Sequence, residues 1–596
     1  MASIDAPKPA EGSASSTHTP ARPQTHDSSS STTEPTAEAT TEPTLAEKIE
    51  LAAAEGHDAD VPSNIGYVLD EQGEKQRRES ITQQRRESAL ARQSTRGSKA
   101  AGEDVEKAAA AAGAEGEVAD ENIVQWDGPD DPQNPYNWPR WKKVTTCALV
   151  SSFTFVTPLA SSMFAPGVPE LMMEFKNSSP ELASFVVSVY ILGFAAGPLV
   201  FAPMSEIYGR HWVYLFSLVF FGVFIVACAV APTLEALIAF RFLSGIFGAC
   251  PLTNGAGTIA DMIAQEKRGA AMAIFSIGPL LGPIIGPVAG GFLADAKGWR
   301  WVFWVLAIII AALVVAIPIF MQETYAPVLL ERKTRRLRKE TGNDLLRSKF
   351  DVGLSPKDHF KRGIVRPMKL LAFDPISIIF GFYLAVVYGY LYILFTSITT
   401  VFQGSYGFSA SNVGLVFLGL GVGSMLGVVV FSVFSDRNIK KKTQEADELA
   451  AEAGTESEGM KPEYRLSPLR WGAALLPFGF FFYGWTAEFP DKVHWIVPII
   501  SHVFIGVGNI IVFLALQLYL VDAYTIYAAS AIAANTVVRS IAGAVLPLAG
   551  LRMYANLGVG WGNSLLGFIA LALLPVPFLI IRYGEFLRKN YSPKNL

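Results

Sequence analysis

Cysteine is scarce: three in 596 residues, Cys147, Cys228 and Cys250, each inside an apolar stretch. Isolated thiols in such surroundings read as small hydrophobes, which sets aside a disulfide framework, a thiolate metal site and a cysteine nucleophile. Charge is thin too, at 17% of residues against roughly 25% in soluble domains. Residues 1–135 are nearly free of aromatics and rich in Ala, Ser, Thr, Pro and Glu, too polar to bury a core of their own, and so are expected to form a disordered cytosolic tail. No apolar signal peptide opens the chain, so its first hydrophobic segment is expected to serve as the targeting signal. No Gly-x-x-x-x-Gly-Lys-Ser/Thr phosphate loop, nucleophile–base arrangement or metal-ligand cluster stands out, so neither ATP drive, catalysis nor a cofactor is expected.

What the chain has in abundance is long apolar runs. It is 51% hydrophobic and 12% aromatic, with mean hydropathy +0.31 despite the polar tail. A spanning helix needs about 20 apolar residues. Twelve such runs occur, near 143–165, 182–205, 212–231, 234–258, 269–294, 300–320, 374–402, 411–434, 468–488, 493–520, 525–551 and 562–583. The fold class is therefore an all-α membrane protein of twelve transmembrane helices. The segment 321–372 carries thirteen Lys/Arg and 435–470 seven, whereas the loops 166–181, 231–234, 403–410, 487–492 and 552–561 hold only Lys176, Lys492 and Arg552. The positive-inside rule puts the basic loops and both termini in the cytosol.

The basic stretch 321–372 divides the spans six and six, giving bundles at 136–320 and 373–583, a cytosolic loop at 435–467 and a short tail at 584–596. An internal repeat supports the division. Gly193-x-x-x-Gly197, followed by Val200-Phe201 and Ser205-Glu206, recurs 230 residues later as Gly423-x-x-x-Gly427, Val430-Phe431 and Ser435-Asp436. Two pseudo-symmetric six-helix bundles are expected.

The most unusual run lies in the fifth span. Gly278, Gly282, Gly286 and Gly290 recur every four residues, and Pro279, Pro283 and Pro287 follow the first three. Three prolines would break a helix in water. In a bilayer the neighbouring helices can satisfy the freed groups. The glycines clear a strip against which another helix can pack backbone to backbone. Such a face is expected to let the two halves close tightly on the outer side.

Several charges carry further expectations. Gly209 permits a tight turn after the second span, across which Glu206 and Arg210 can pair; Asp436 marks the equivalent place in the second half. Arg241 lies about seven residues into the fourth span, ~10 Å deep. A charge there costs at least ~2–3 kcal/mol and must face water or a partner. Asp261 ends the same span. In the second half the polar interruptions are Asn509, Gln517, Asn535 and Arg539, the last near the midplane. With Asn254, Tyr383, Tyr388 and Tyr392 they are candidates to line a site for a flat apolar compound, packing being the alternative for each aromatic. Arg77-Arg78-Glu79-Ser80 and Arg85-Arg86-Glu87-Ser88 suit basophilic kinases, with Ser80 and Ser88 as acceptors; a plain charged segment is the alternative.

Four stretches, Pro203-Met-Ser-Glu-Ile-Tyr-Gly-Arg210, Arg241-Phe-Leu-Ser-Gly245, the Gly-Pro run and Glu323-Thr-Tyr-Ala-Pro-Val-Leu-Leu-Glu-Arg-Lys333, resemble the major facilitator superfamily, and within it the fungal drug:proton antiporters of twelve spans. The resemblance covers roughly residues 125–590. It departs from the family pattern after the second span, where the acid is Glu206 and the next residue is Ile207 rather than Arg. It implies the major facilitator fold and proton-coupled export of drugs, fungicides, toxins or secondary metabolites by alternating access. Arg241 and Asp261 would serve proton coupling, and the Gly-Pro run would mark an exporter. The implied partners are a small molecule, protons and the bilayer, with anionic lipid at the basic linker and no nucleic acid. A functional monomer in the plasma membrane is expected, the vacuolar membrane being the alternative. A polyamine exporter, a sugar importer and a non-transporting sensor signalling through the tail are the competing readings.

Overall fold

The computed structural model describes residues 122–264, 267–351, 355–453, 460–524 and 528–591. The tail to residue 121, with Ser80 and Ser88, lies outside them. The first half comprises α1 (Arg140–Ser162), α2 (Val168–Glu174), α3 (Pro180–Tyr208), α4 (Arg210–Ala229), α5 (Leu234–Gly248), α6 (Cys250–Met262), α7 (Gly269–Lys297) and α8 (Arg300–Phe320). The connection holds α9 (Ala326–Thr341) and α10 (Pro356–Phe373). The second half comprises α11 (Pro375–Tyr406), α12 (Ala410–Ala453), α13 (Leu469–Glu488), α14 (Ile496–Tyr524), α15 (Ala528–Leu573) and α16 (Pro575–Tyr591).

Among the described residues, ten helical stretches are long and apolar enough to cross a bilayer. The longest, Ala528–Arg588, breaks at Gly558 (φ 77°), and α13 supplies a further apolar helix, which brings the set to twelve. Breaks follow local chemistry. Prolines open α3, α6, α9, α10 and α11, where the missing N–H costs nothing. Ser179, Thr233 and Asp374 accept hydrogen bonds from the first turns of α3, α5 and α11. Large apolar side chains such as Ile308, Ile319 and Val429 stand more than half exposed, as hydrocarbon-facing residues do.

The glycine strip packs as a strip, but against its own half. A Cβ on Gly278 would lie 3.0 Å from Phe155 N of α1, and one on Gly282 2.9 Å from Leu159 N. Beyond them Gly286 abuts Ser162 and Met163, and Gly290 rests on the Met163 carbonyl. The expected closure between halves uses different glycines. Gly291 of α7 sits on the Ala410 carbonyl, Gly414 of α12 on the Pro287 carbonyl, and Gly421 on Ile284.

The contacts of Gly290, Gly291 and Gly414 fall at the end of the bundle opposite α9 and α10, here the far end; the other is the linker end. More of the seam lies on the far side. Glu181 pairs with Arg552, Ser411 Oγ donates to Asp295 Oδ2 (2.7 Å), and Ser188 Oγ donates to the Ala544 carbonyl (2.8 Å). Nearer the middle, Ser161 Oγ and Tyr392 OH stand 2.8 Å apart. At the linker end α10 touches both halves, packing on α3 and on α15, with Gly363 against Pro203.

Residues 122–135, assigned by composition to the tail, are folded against the connection. Ile123–Val124 (β1) pairs in parallel with Arg347–Ser348 (β2). Lys333 of α9, only 12% exposed, donates to Asp127 Oδ1 (2.6 Å) and stands 3.7 Å from Asp131 Oδ2. Burial raises the Asp131 carboxyl, but the backbone N–H groups of Asp127 and Gln133 and the Lys333 ammonium together hold it below the usual range. Composition could not reveal this clasp, because its strands are two residues each.

Two outcomes follow. Alanine at Gly278, Gly282 and Gly290 should lower the melting temperature of the purified protein in that order of increasing severity, since the added methyl meets progressively closer backbone. Lys333→Gln should speed proteolytic nicking of residues 122–139. A depressed carboxyl contributes stability above its unfolded value and loses it as pH falls through the folded one. Nicking of the unsubstituted protein should therefore stay flat from neutrality to about pH 5.

Candidate functional site

Three charged places stand out. The first lies at the linker end, where α3 turns into α4. Gly209 adopts φ 92°, which admits no ordinary side chain, and a Cβ there would collide with the Glu323 carboxylate. That carboxylate bridges two helix starts. It accepts from Arg210 N (2.8 Å) and His211 N (3.3 Å) of α4, and from Thr324 N and Tyr325 N (both 3.0 Å) ahead of α9. Helix N-termini carry unpaired N–H groups and a positive dipole end, so one carboxylate completes both.

The Arg210 side chain, 2% exposed, turns inward. Its Nε lies 3.2 Å from Asp261 Oδ2 at the end of α6, and its guanidinium covers the Tyr325 ring at 4.6 Å. Thr324 Oγ1 donates to the same Asp261 oxygen (3.4 Å). The pairing expected between Glu206 and Arg210 is therefore replaced by one across fifty residues. Glu206 is exposed instead, within electrostatic reach of Arg210 and of His359 and Arg366 on α10. The reason is directional: after a left-handed glycine the chain reverses, and Arg210 leaves the face on which Glu206 stands.

The second half repeats this device with other residues. Arg465, also between the second and third spans of its half, pairs with Asp522 near the end of α14. Glu463 accepts from Arg588 Nε (3.2 Å) and Tyr519 OH (3.2 Å). Asp436, the repeat's counterpart of Glu206, is exposed. Asp522 looks merely interfacial in the sequence. The usable signal was positional: each half ends its fourth span on an aspartate.

The second place is Arg241, fully buried. Its Nη1 donates to the Ala160 carbonyl (2.8 Å) and Nη2 to Ser161 (3.1 Å) and Val187 (3.3 Å), while Nε donates to Val186 (3.2 Å). Tyr190, Phe164 and Phe303 rings surround it at 4.9–5.8 Å. Ala160 and Ser161 are in the last turn of α1, where carbonyls lack helical partners and the dipole is negative. Arg241 thus caps α1 and ties it to α3. No carboxylate pairs with it among the described residues. Thr253 bonds back to the Ala249 carbonyl (2.9 Å), and Asn254 joins Ser205 Oγ (3.0 Å) and the Phe201 carbonyl (3.2 Å). Neither links Arg241 to Asp261, and Asn254 lies inside the first half rather than at a central cavity.

The third place is central. Arg539 is half-buried at mid-span of α15, its guanidinium 5.1 Å from both the Tyr388 ring of α11 and the Phe513 ring of α14. Tyr388 stacks toward Tyr392 at 5.2 Å. Asn509 and Gln517 of α14 are half-buried; Asn509 Nδ2 donates to the Val387 carbonyl (3.0 Å). Tyr383 and Asn535 are buried in helix contacts.

Comparisons with known proteins agree with this frame. Residues 150–547 match the family model described as Major Facilitator Superfamily. An MFS-type transporter, tndD, of Aspergillus flavipes is 56% identical over 79% of this chain and 86% of its own. The MFS-type transporter penM of Penicillium rubens is 53% identical over 81% and 92%. The efflux pump radE of Floropilus chiversii is 52% identical over 80% and 86%. Among solved structures, the xylose transporter XylE from E. coli in an inward open conformation superposes with TM-score 0.53 at 15% identity, over 76% of this chain and 96% of that one. That likeness concerns the fold.

The Arg241 geometry yields a distinct expectation. Arg241→Ala would orphan buried carbonyls at roughly 1–3 kcal/mol each. Thermal melting of purified protein should fall steeply, and Arg241→Lys, which keeps three donors, should recover part of the loss.

Proposed function

The chain belongs to the major facilitator superfamily, and we propose that it exports small amphipathic organic compounds, of the drug or secondary-metabolite kind, against an inward flow of protons. The observation that carries this reading is identity of about half, sustained across the membrane region, with fungal transporters that include an efflux pump.

The architecture supplies a route. With the basic connection in the cytosol, the linker end is cytosolic and the sealed far end is external. Alternation then requires the far-end contacts to part as the two halves approach at the linker end. Asp261 is the carboxylate best placed for coupling. Ionised, it accepts from Arg210 and Thr324; protonation would remove its charge and turn one oxygen into a donor, weakening the junction between α4, α6 and α9. Arg241 and the glycine strip then hold the first half together as a rigid unit.

A polyamine exporter of the same fold would want carboxylates deep in its cavity. Among the described residues, Glu206, Asp261, Asp374, Glu488 and Asp522 all fall within about two turns of a helix end. The central region offers aromatic rings and an arginine instead, which suits compounds without multiple positive charges.

Reconstituted into liposomes, the protein should move an amphipathic fluorescent substrate at a rate that grows with an imposed pH gradient and collapses with a protonophore. Asp261→Asn and Arg210→Gln should each impair gradient-driven transport, and the double variant should be no worse than either single one. Spermidine transport without amphipathic transport, or indifference to the gradient, would reject the proposal.

A further inference from the structure

Three arginines of the bundle, Arg210, Arg241 and Arg539, are treated differently. Arg210 faces Asp261, and Arg241 has four carbonyls. Arg539 has neither: its Nε is buried without a hydrogen-bond partner, and no carboxylate pairs with it among the described residues. What surrounds it is the π faces of Tyr388 and Phe513, with the Tyr392 phenol beyond. Rings ease a cation's desolvation but leave the Nε donor open.

Its position along the seam matters as much. One turn toward the far end, Gly543 packs against Tyr388 and Ile191, so α15 and α3 are in contact there. The next residue, Ala544, accepts the Ser188 hydroxyl across the halves. Arg539 therefore lies about one turn from the contact between α3 and α15, on its linker side. A guanidinium at mid-membrane is costly unless it meets water or a partner, and it presents a planar fork suited to a carboxylate or another delocalised anion.

We infer that Arg539 is the anion-recognition point of the transport site. The compounds carried are organic acids, with the carboxylate or enolate on the Arg539 guanidinium and a flat conjugated body against Tyr388 and Phe513. This rests on the export reading and narrows it to a substrate class. It also sets a geometry: the acid group lies uppermost, against the far-end seal, and the apolar body trails toward the linker end.

Binding to the purified full chain in detergent tests this apart from any transport. The probes are 1-pyrenebutyrate and its uncharged amide, followed by fluorescence. The acid should bind about tenfold or more tightly than the amide, the ratio expected of a charged hydrogen bond. Arg539→Gln should bring the two probes to parity, and Arg539→Lys should keep part of the preference. If Arg539→Gln does not give folded protein, Arg539→Lys and Tyr388→Leu carry the test: the first should shrink the acid's advantage, the second should weaken both probes alike. Equal binding of the two probes by the unsubstituted chain, binding of neither, or a preference that survives Arg539→Gln would overturn the inference. Selective binding without proton-driven movement would sink the export reading alone.

Discussion

Helix ends set the terms of this structure. Within hydrocarbon no water can satisfy the last carbonyls or first N–H groups of a span, so each end must find a partner inside the protein. Here the partner is repeatedly a charged side chain from another span. Arg241 closes the carbonyl end of α1, and Glu323 closes the N–H ends of α4 and α9 together. At the far end Glu170 accepts from Trp299 N (3.2 Å) at the start of α8, and Glu488 accepts from Gly560 N (2.8 Å) where the last span begins. Both carboxylates sit beside a left-handed glycine, Gly298 and Gly558. Charges that look like candidate chemistry are thus largely the terminators of the scaffold.

This separates two kinds of buried charge. A terminator is bonded in fixed directions and holds helices at set angles, as Arg241 does. A latch is an ion pair whose grip depends on the charge of its acid, as between Arg210 of α4 and Asp261 of α6. Exposed pairs of this kind contribute only ~0–1 kcal/mol, but a buried one carries more and depends on the protonation state of its acid. The two halves offer one latch each, built from different residues at equivalent places.

The twelve apolar runs, the six-and-six division and the close-packing glycines were all readable in the sequence. They depend on local periodicity and hydropathy, which a bilayer imposes directly. The partners were not. Glu206 and Arg210 are one helical turn apart in sequence, which made them seem a pair, while Asp261 and Glu323 reach Arg210 only through the tertiary fold. The Gly-Pro strip showed that a helix would pack closely without showing which one. α1 won because it lies parallel within the same half, and the halves meet along Gly291, Gly414 and Gly421 instead. Arg241 read as a coupling charge because an isolated arginine in a span carries no mark of its acceptors when these are carbonyls.

The connection between the halves is less slack than its length suggests. Glu323 pins the start of α9 to the first half, and the β1–β2 pair with Lys333 fastens its later part to the segment ahead of α1. What remains to bridge the halves is α10, a rod wedged between Pro203 of α3 and the beginning of α15. Two bodies joined by such a rod cannot rock independently, because any rotation of one half must roll, slide or carry the rod against the other. α10 thereby ties any displacement of one half at the linker end to its seat on the other.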